Sequence, residues 1–294
     1  MNIIVGIATA GRREQLTLTL MQLASQQRFP DRVIVCPAAL EDCDDRACRG
    51  LPFPVTVVHG PRGLSAQRNC IFESCGDADV IAFFDDDFYP HPKYLAEVEL
   101  LMATQMDVVI VTGRVLADGI LGPGIEHDKG VRLLEAAVEL PPSEAAIHET
   151  HNAYGCNMIV RVAPAQQHGI QFDENLPLYG WLEDVDFSRR MAPHGRIVRN
   201  TRLSGVHLGT KRGRTSGVKF GYSQIANPIY MTRKGTLSPP RALRQMVRNV
   251  ARNIARCIVP EPWVDRRGRL KGNLLALGDL ALGRIDPRKI LQLN

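Results

Sequence analysis

The chain has 294 residues, 45% hydrophobic and 23% charged, which is enough to bury a full core and excludes a linker or disordered protein. No run approaches the roughly 20 apolar residues of a spanning helix, and the opening "MNIIVGIATAGRRE" lacks a basic leader and a small-residue cleavage site, so a cytoplasmic protein is expected. The net charge of +5 is uneven: residues 236–294 carry 12 Lys+Arg against 4 Asp+Glu, or +8, and residues 1–235 stand at −3, which argues against a nucleic-acid binder and gives the tail an anionic surface as its expected partner.

"MNIIVGIAT" predicts an apolar strand, and residues 12–27 a helix with Leu16, Leu20 and Leu23 on one face. "DRVIVCP" predicts a second strand, "PVTVVHG" a third, "LSAQRNCIFESC" a helix capped by Ser65, and "DADVIAFFDDD" a fourth strand. This alternation predicts an α/β fold with a mostly parallel central sheet flanked by helices on both faces. Ligands of such sheets sit beyond the carboxyl ends of the strands, which gathers Thr9, the Asp42 loop and the run from Asp85 to Asp87 around one cleft. A helix over 92–104 and a strand over 107–113 complete a first half, about 1–114. Residues 115–151 then mix Gly, Pro and a short helical run, and are expected to cover or extend the cleft. "YGCNMIVRV", a strand, loop and helix over 169–195, and "RIVRNTRLSGVHLG" as two short strands carry a second half to about 235. Residues 236–294 are a basic, helical C-terminal extension. The seven cysteines are scattered, without a CxxC pair, and are expected to be reduced.

Three adjacent carboxylates at a strand end repel one another unless a cation or a set of donors meets them. In extended chain Asp85 and Asp87 point to one side and Asp86 to the other, so Asp85 and Asp87 can share a Mg²⁺ or Mn²⁺ ion; a solvated acidic turn before the next helix is the alternative. In "GWLEDVDFSRRM" an acidic first helical turn is favoured by the helix dipole alone, but a carboxylate desolvated beside Trp181 can also act as a general base. Asp184 is the candidate, with Glu183 orienting it. In "SGVHLGTKRGRTSG", His207 ends a strand and either makes an ordinary hydrogen bond or completes the metal site. The basic run after it, with Lys211 and Arg212 foremost and Arg214 and Lys219 following, suits a loop that closes on a diphosphate. Together these groups suit attack of an alcohol on a nucleoside-diphosphate sugar. "GIATAG" lacks the dinucleotide spacing and no GxxxxGK[ST] loop occurs, which argues against NAD chemistry and ATP hydrolysis.

With these motifs in order, residues 2–234 resemble the inverting glycosyltransferases of family 2, with the GT-A fold. "IATAGR", with Thr9 and Arg12, is similar to the opening strand and turn that touch the nucleotide. "GLSAQRN" resembles the segment before the metal motif, implying donor contact by Gly63, Arg68 and Asn69. "FFDDDFYPHP" resembles the DxD motif, implying that Asp85 and Asp86 meet the donor while Asp85, Asp87 and His207 hold the metal. "GCNMIVRV", with Asn157, is similar to the strand near the acceptor, as is the Trp181 loop, and "LEDVD" resembles the ED motif, implying Asp184 as base. The chain departs from the family in two places: "VCPAALEDCDD" lacks the clear aspartate that often follows the second strand and meets the base moiety, so that the resemblance implies Asp42 in its stead, and the QRRW motif of processive synthases is absent, which implies transfer of a single sugar. The expected donor is a UDP-linked sugar, the acceptor a saccharide or lipid-linked saccharide, and the setting bacterial surface polysaccharide assembly. The rivals are a sugar nucleotidyltransferase and a non-catalytic nucleotide- or glycan-binding subunit.

In the tail, Arg241, Arg244, Arg248, Arg252 and Arg256 fall on one helix face and Leu243, Val247, Val250, Ile254 and Ile258 on the other. That pattern fits either an apolar face packed on the domain or a peripheral, in-plane contact with anionic membrane.

Overall fold

The computed structural model describes residues 1–44, 46–137 and 147–293. In chain order its elements are β1 (Ile3–Thr9), α1 (Arg13–Leu23), β2 (Arg32–Pro37), β3 (Val55–Val57), α2 (Leu64–Glu73), β4 (Val80–Asp85), β5 (Phe88–Pro90), α3 (Tyr94–Thr104) and β6 (Val108–Asp118). There follow α4 (His127–Glu135), β7 (Ile147–Glu149), β8 (Asn157–Arg161), α5 (Val162–Gln167), α6 (Glu183–Met191), β9 (Arg196–His207), α7 (Gly217–Lys234), α8 (Pro239–Arg256) and α9 (Arg266–Ala281).

One sheet runs β3-β2-β1-β4-β8-β6-β9-β5, with β7 beside β9. Strands β1 to β4 are parallel; β8 enters antiparallel between β4 and β6, so the sheet beyond β4 is mixed. Alternation along β1 builds a core on each face. Ile3, Val5 and Ile7 join α1 and α3 on one side, while Ile4 meets Ile71 of α2 and Phe187 of α6 on the other. Register places Ala8 of β1 opposite Cys36 and Asp85, so the ends of β1, β2 and β4 share one edge. Behind that edge α7 packs against α8 and α9 through a separate cluster that includes Tyr222, Ile225 and Ala276.

Several elements depart from expectation. Ser65 does not cap α2; Gly63 precedes the helix, and the Ser65 hydroxyl donates to the Leu176 carbonyl at 3.4 Å. Residues 170–172 are a loop and not a strand, because the Phe172 amide is taken by the Asn69 side chain, 2.7 Å away. The two strands expected around 196–208 are one, β9, which stays paired with β6 through register shifts at Gly113/Arg114 and Val115/Ala117. The excursion over 115–151 begins as the end of β6 and continues through α4 to β7; its residues 138–146 lie outside the described ones.

Candidate active site

The acidic run lies where buried β4 gives way to β5, and β5 pairs with β9 so that Phe88 sits opposite His207. Alternation sends Asp86 toward α1. There it accepts from the Thr9 hydroxyl at 2.6 Å and from Arg12 Nη1 at 2.8 Å. Burial pushes Asp86 up to about 6, against the pull of Arg12 and with the push of the Asp87 charge. Asp85 and Asp87 face the other way, toward His207. Asp87 is buried, its Oδ2 accepts from the Thr210 amide at 2.6 Å, and its Oδ1 has no hydrogen-bond partner among the described residues.

His207 Nδ1 lies 2.9 Å from Asp118 Oδ1, which fixes the ring and leaves Nε2 3.3 Å from Asp87 and 3.8 Å from Asp85. Burial alone would lower the imidazole; the carboxylates of Asp118 and Asp87 outweigh it and take it to about 10. A cation among these groups would instead favour the neutral imidazole, with Asp118 holding the Nδ1 proton as carboxylates do behind metal-bound histidines. One atom each from Asp85, Asp87 and His207 lies within 4.8 Å of the others. Two carboxylates, an imidazole and a buried Asp87 Oδ1 whose neighbour is His207 Nε2 at 3.3 Å, without a hydrogen bond, suit a divalent cation such as Mn²⁺ or Mg²⁺.

Arg68, buried on α2, joins this cluster to α6. Its Nη2 reaches Asp85 at 3.1 Å and the Gly155 carbonyl at 2.7 Å, and its Nη1 bonds Glu183. The Gly155 amide in turn donates to Asp184 at 3.0 Å. The second Glu183 oxygen is buried without a partner, and burial pushes this carboxyl up to about 8 against the pull of Arg68. Burial also raises Asp184, opposed by the Gly155 amide. Leu182, just before α6, holds a left-handed φ of 75°, an uncommon posture for a branched side chain that turns the Tyr179–Trp181 loop sharply into the helix.

A cleft of about 340 Å³ opens beside the acidic run, with Thr9, Arg12, Gly63, Asp85, Tyr179 and Arg214 in its wall. Arg62 and Lys219 add positive charge to the same wall, and sequence reasoning missed Arg62 and ranked Arg214 and Lys219 behind their neighbours. Lys211 and Arg212 do not face this cleft. The Lys211 ammonium donates to the Gly119 and Ile120 carbonyls, and the exposed Arg212 pairs with Glu14 at 2.9 Å beside a second cavity. Asp42 also lines that second cavity, its carboxylate accepting from the Gly11 and Ala39 amides. Asn69 is buried and grips the Phe172 backbone at both its amide and its carbonyl, so it ties a loop and leaves the cleft to others. Asn157 is buried with its Oδ1 accepting from Thr112, away from the surface. The Trp181 ring packs edge-on against Phe220, and its carbonyl accepts from Asn227.

The sequence profile described as "Glycosyl transferase family 2" matches residues 5–166. The chain belongs to that family and is a glycosyltransferase. No curated protein matches the sequence. Among solved structures, the mannosyltransferase PcManGT from Pyrobaculum calidifontis, in complex with GDP-Man and Mn²⁺, superposes with a TM-score of 0.57 at 17% identity, covering 96% of this chain and 80% of that one. Residues 1–349 of TarS from S. aureus in complex with UDP-GlcNAc give 0.53 at 16% identity, covering 100% of this chain and 84% of that one. Against a longer TarS chain the match spans 79% of this chain and 40% of that one, with a TM-score of 0.52 at 16% identity. The likeness is one of fold, the GT-A arrangement of a central sheet flanked by helices.

Proposed function

We propose that the protein transfers one sugar, with inversion, from a nucleoside-diphosphate sugar to a hydroxyl of a saccharide or lipid-linked saccharide, in a cation-dependent reaction. The observation that carries this reading is the Arg68 bridge, which holds Asp85 of the cation-binding group and the Glu183–Asp184 pair in one buried network. Asp184 accepts the proton of the acceptor hydroxyl, and inversion follows from attack on the face opposite the leaving diphosphate. Glu183, pinned by Arg68, fixes where Asp184 stands. Asp85, Asp87 and His207 would hold the cation, whose contribution is to neutralise charge on the departing diphosphate. Arg214, Lys219 and Arg62 supply positive charge along the same wall.

A UDP-linked donor is the one we propose, with a GDP-linked sugar as the comparison, because TarS was solved with UDP-GlcNAc and PcManGT with GDP-Man. The basic tail supports a peripheral position on the inner face of the plasma membrane and with it a lipid-linked acceptor, and the setting we propose is bacterial surface polysaccharide assembly; no helix of the described residues is long and apolar enough to cross a membrane. Asp184→Asn should abolish transfer while leaving donor binding largely intact, and Asp87→Ala should weaken cation-dependent donor binding. Both are read by calorimetric titration of UDP-sugars with and without Mn²⁺, beside turnover. Undiminished turnover in Asp184→Asn would remove the mechanism.

A further inference from the structure

Helix α8 has three faces. Ala242, Met246, Val250 and Asn253, three or four residues apart, pack inward. Arg244, Arg248 and Arg252 line a second face, exposed to solvent. Leu243, Val247, Ile254 and, just past the helix, Ile258 make the third, and they are 54% to 80% exposed. The apolar stripe legible in the sequence is therefore largely turned outward; Val250, at its edge, is the member that packs. Helix α9 repeats the arrangement, with Asn273, Ala276 and Asp279 inward and Leu274, Leu277 and Leu282 exposed.

The end of α8 meets the outward face of α9. Cys257, at the end of α8, shares a shallow groove of about 690 Å³ with Leu270, Leu274 and Leu282 of the α9 segment, and Arg267 and Lys271 stand at its margin. Ten of the nineteen exposed large hydrophobic side chains among the described residues fall between Leu243 and Leu291, so the segment that carries these two helices concentrates exposed apolar side chains.

We infer that this face of α8 and α9 docks in the plane of an anionic lipid bilayer, its apolar side chains in the boundary between headgroups and acyl chains and its arginines on lipid phosphates. The inference rests on the peripheral position proposed above and names the surface responsible. Charge selects the occupant. Helix α8 contains no acidic residue, and Asp279 of α9, which lines the groove, is already paired with Lys289, so a second copy seated on this face would bring arginines against arginines, whereas an anionic headgroup layer meets them with opposite charge. The surface also reaches toward the site. Arg269 of α9 lies over the Phe220 ring at 4.4 Å, and Phe220 packs on Tyr179 and Trp181 beside the cleft.

The test is sedimentation of the full chain with phosphatidylglycerol vesicles and with phosphatidylcholine vesicles, at low and high salt. Wild type should partition to phosphatidylglycerol alone, and less so in salt. The pair Val247→Glu with Ile254→Glu should weaken partitioning by at least about tenfold, and Arg244→Gln with Arg248→Gln and Arg252→Gln should erase the lipid preference. Donor hydrolysis in vesicle-free solution should be unchanged in both variants, since none of these residues lines the cleft. If wild type ignores both vesicles, the peripheral position and this surface fall together while the enzymatic reading stands. If the glutamate pair binds as wild type does and only the arginine variant fails, the membrane contact survives and the assigned face is wrong. Dimerisation that the glutamate pair abolishes, without vesicle binding, would give the face to a second copy instead.

Discussion

The Arg68 guanidinium is buried among Glu183, Asp85 and the Gly155 carbonyl, and it uses its planar fork to satisfy all three. Removing it outright would strand Glu183 inside the protein at a cost of about 3–5 kcal/mol, so Arg68→Ala tests folding more than chemistry. Arg68→Lys keeps the charge but cannot span the three acceptors. Its kcat should fall by about 100-fold, more than its donor KM rises, with folding verified by thermal melting; a folded lysine variant with wild-type kcat would reduce Arg68 to a structural ion. Asp184, as the proposed base, gives a pH signature. Burial raises its carboxyl, and the base must be ionised to accept a proton, so kcat/KM should fall as pH drops through a value above the ordinary aspartate range. A profile still flat near pH ~3.9, where a free aspartate is half protonated, would exclude Asp184 as the base.

Between β9 and α7 the basic loop is held by backbone as much as by charge. Arg12 donates to the carbonyls of Arg212 and Thr210, and Gly11 and Gly213 face one another, both at left-handed φ. A Cβ on Gly213 would stand 2.1 Å from the Ala10 carbonyl oxygen, so Gly213→Ala must move the loop off the end of β1. Donor KM should rise by about tenfold, matching the 1–2 kcal/mol that left-handed backbone costs alanine, while the melting temperature shifts little; an unchanged KM would show that the loop does not serve the donor. The same loop marks the limit of what the sequence discloses. The period of two in "FFDDDF" is local, so the division of Asp85 and Asp87 from Asp86 could be read directly, as could the acidic turn of α6. A glycine-rich run has no period. Nothing in "GTKRGRTSG" tells that Arg214 turns into the cleft and Lys211 away from it, because that depends on which carbonyls, those of Gly119 and Ile120, approach from the turn after β6. Asn69 fails for a different reason: a polar residue midway along a helix suits a ligand and a neighbouring loop equally, and only the position of Phe172 decides. In α8 periodicity separated the arginines from the apolar side chains but could not say which face the rest of the chain covers.

At the scale of the molecule, a division near residue 235 into a catalytic unit and a tail is our proposal, and α7, the last helix before it, touches both parts. Its first turns bring Lys219 to the cleft and its body packs on α8 and α9, which themselves form the surface inferred to dock. The joint is polar: buried Asn253 of α8 donates to Gln224 of α7 and to Asn273 of α9, both at 2.8 Å, and accepts from Arg266 at 3.1 Å, while Asn273 donates to the Gly221 carbonyl at 2.7 Å. A network of this kind fixes one seating of three helices, since any other leaves a buried donor or acceptor unmet. Asn253→Ala should therefore remove about 2 kcal/mol and lower the melting temperature by about 5 °C. Because the network lies behind α7 and away from the acidic run, turnover on a soluble acceptor should persist at low temperature, while partitioning to anionic vesicles should weaken as α8 loses its fixed orientation. Normal partitioning in a destabilised Asn253→Ala protein would show that α8 reaches the lipid surface as a loose helix, with no need of the rigid three-helix layer behind it.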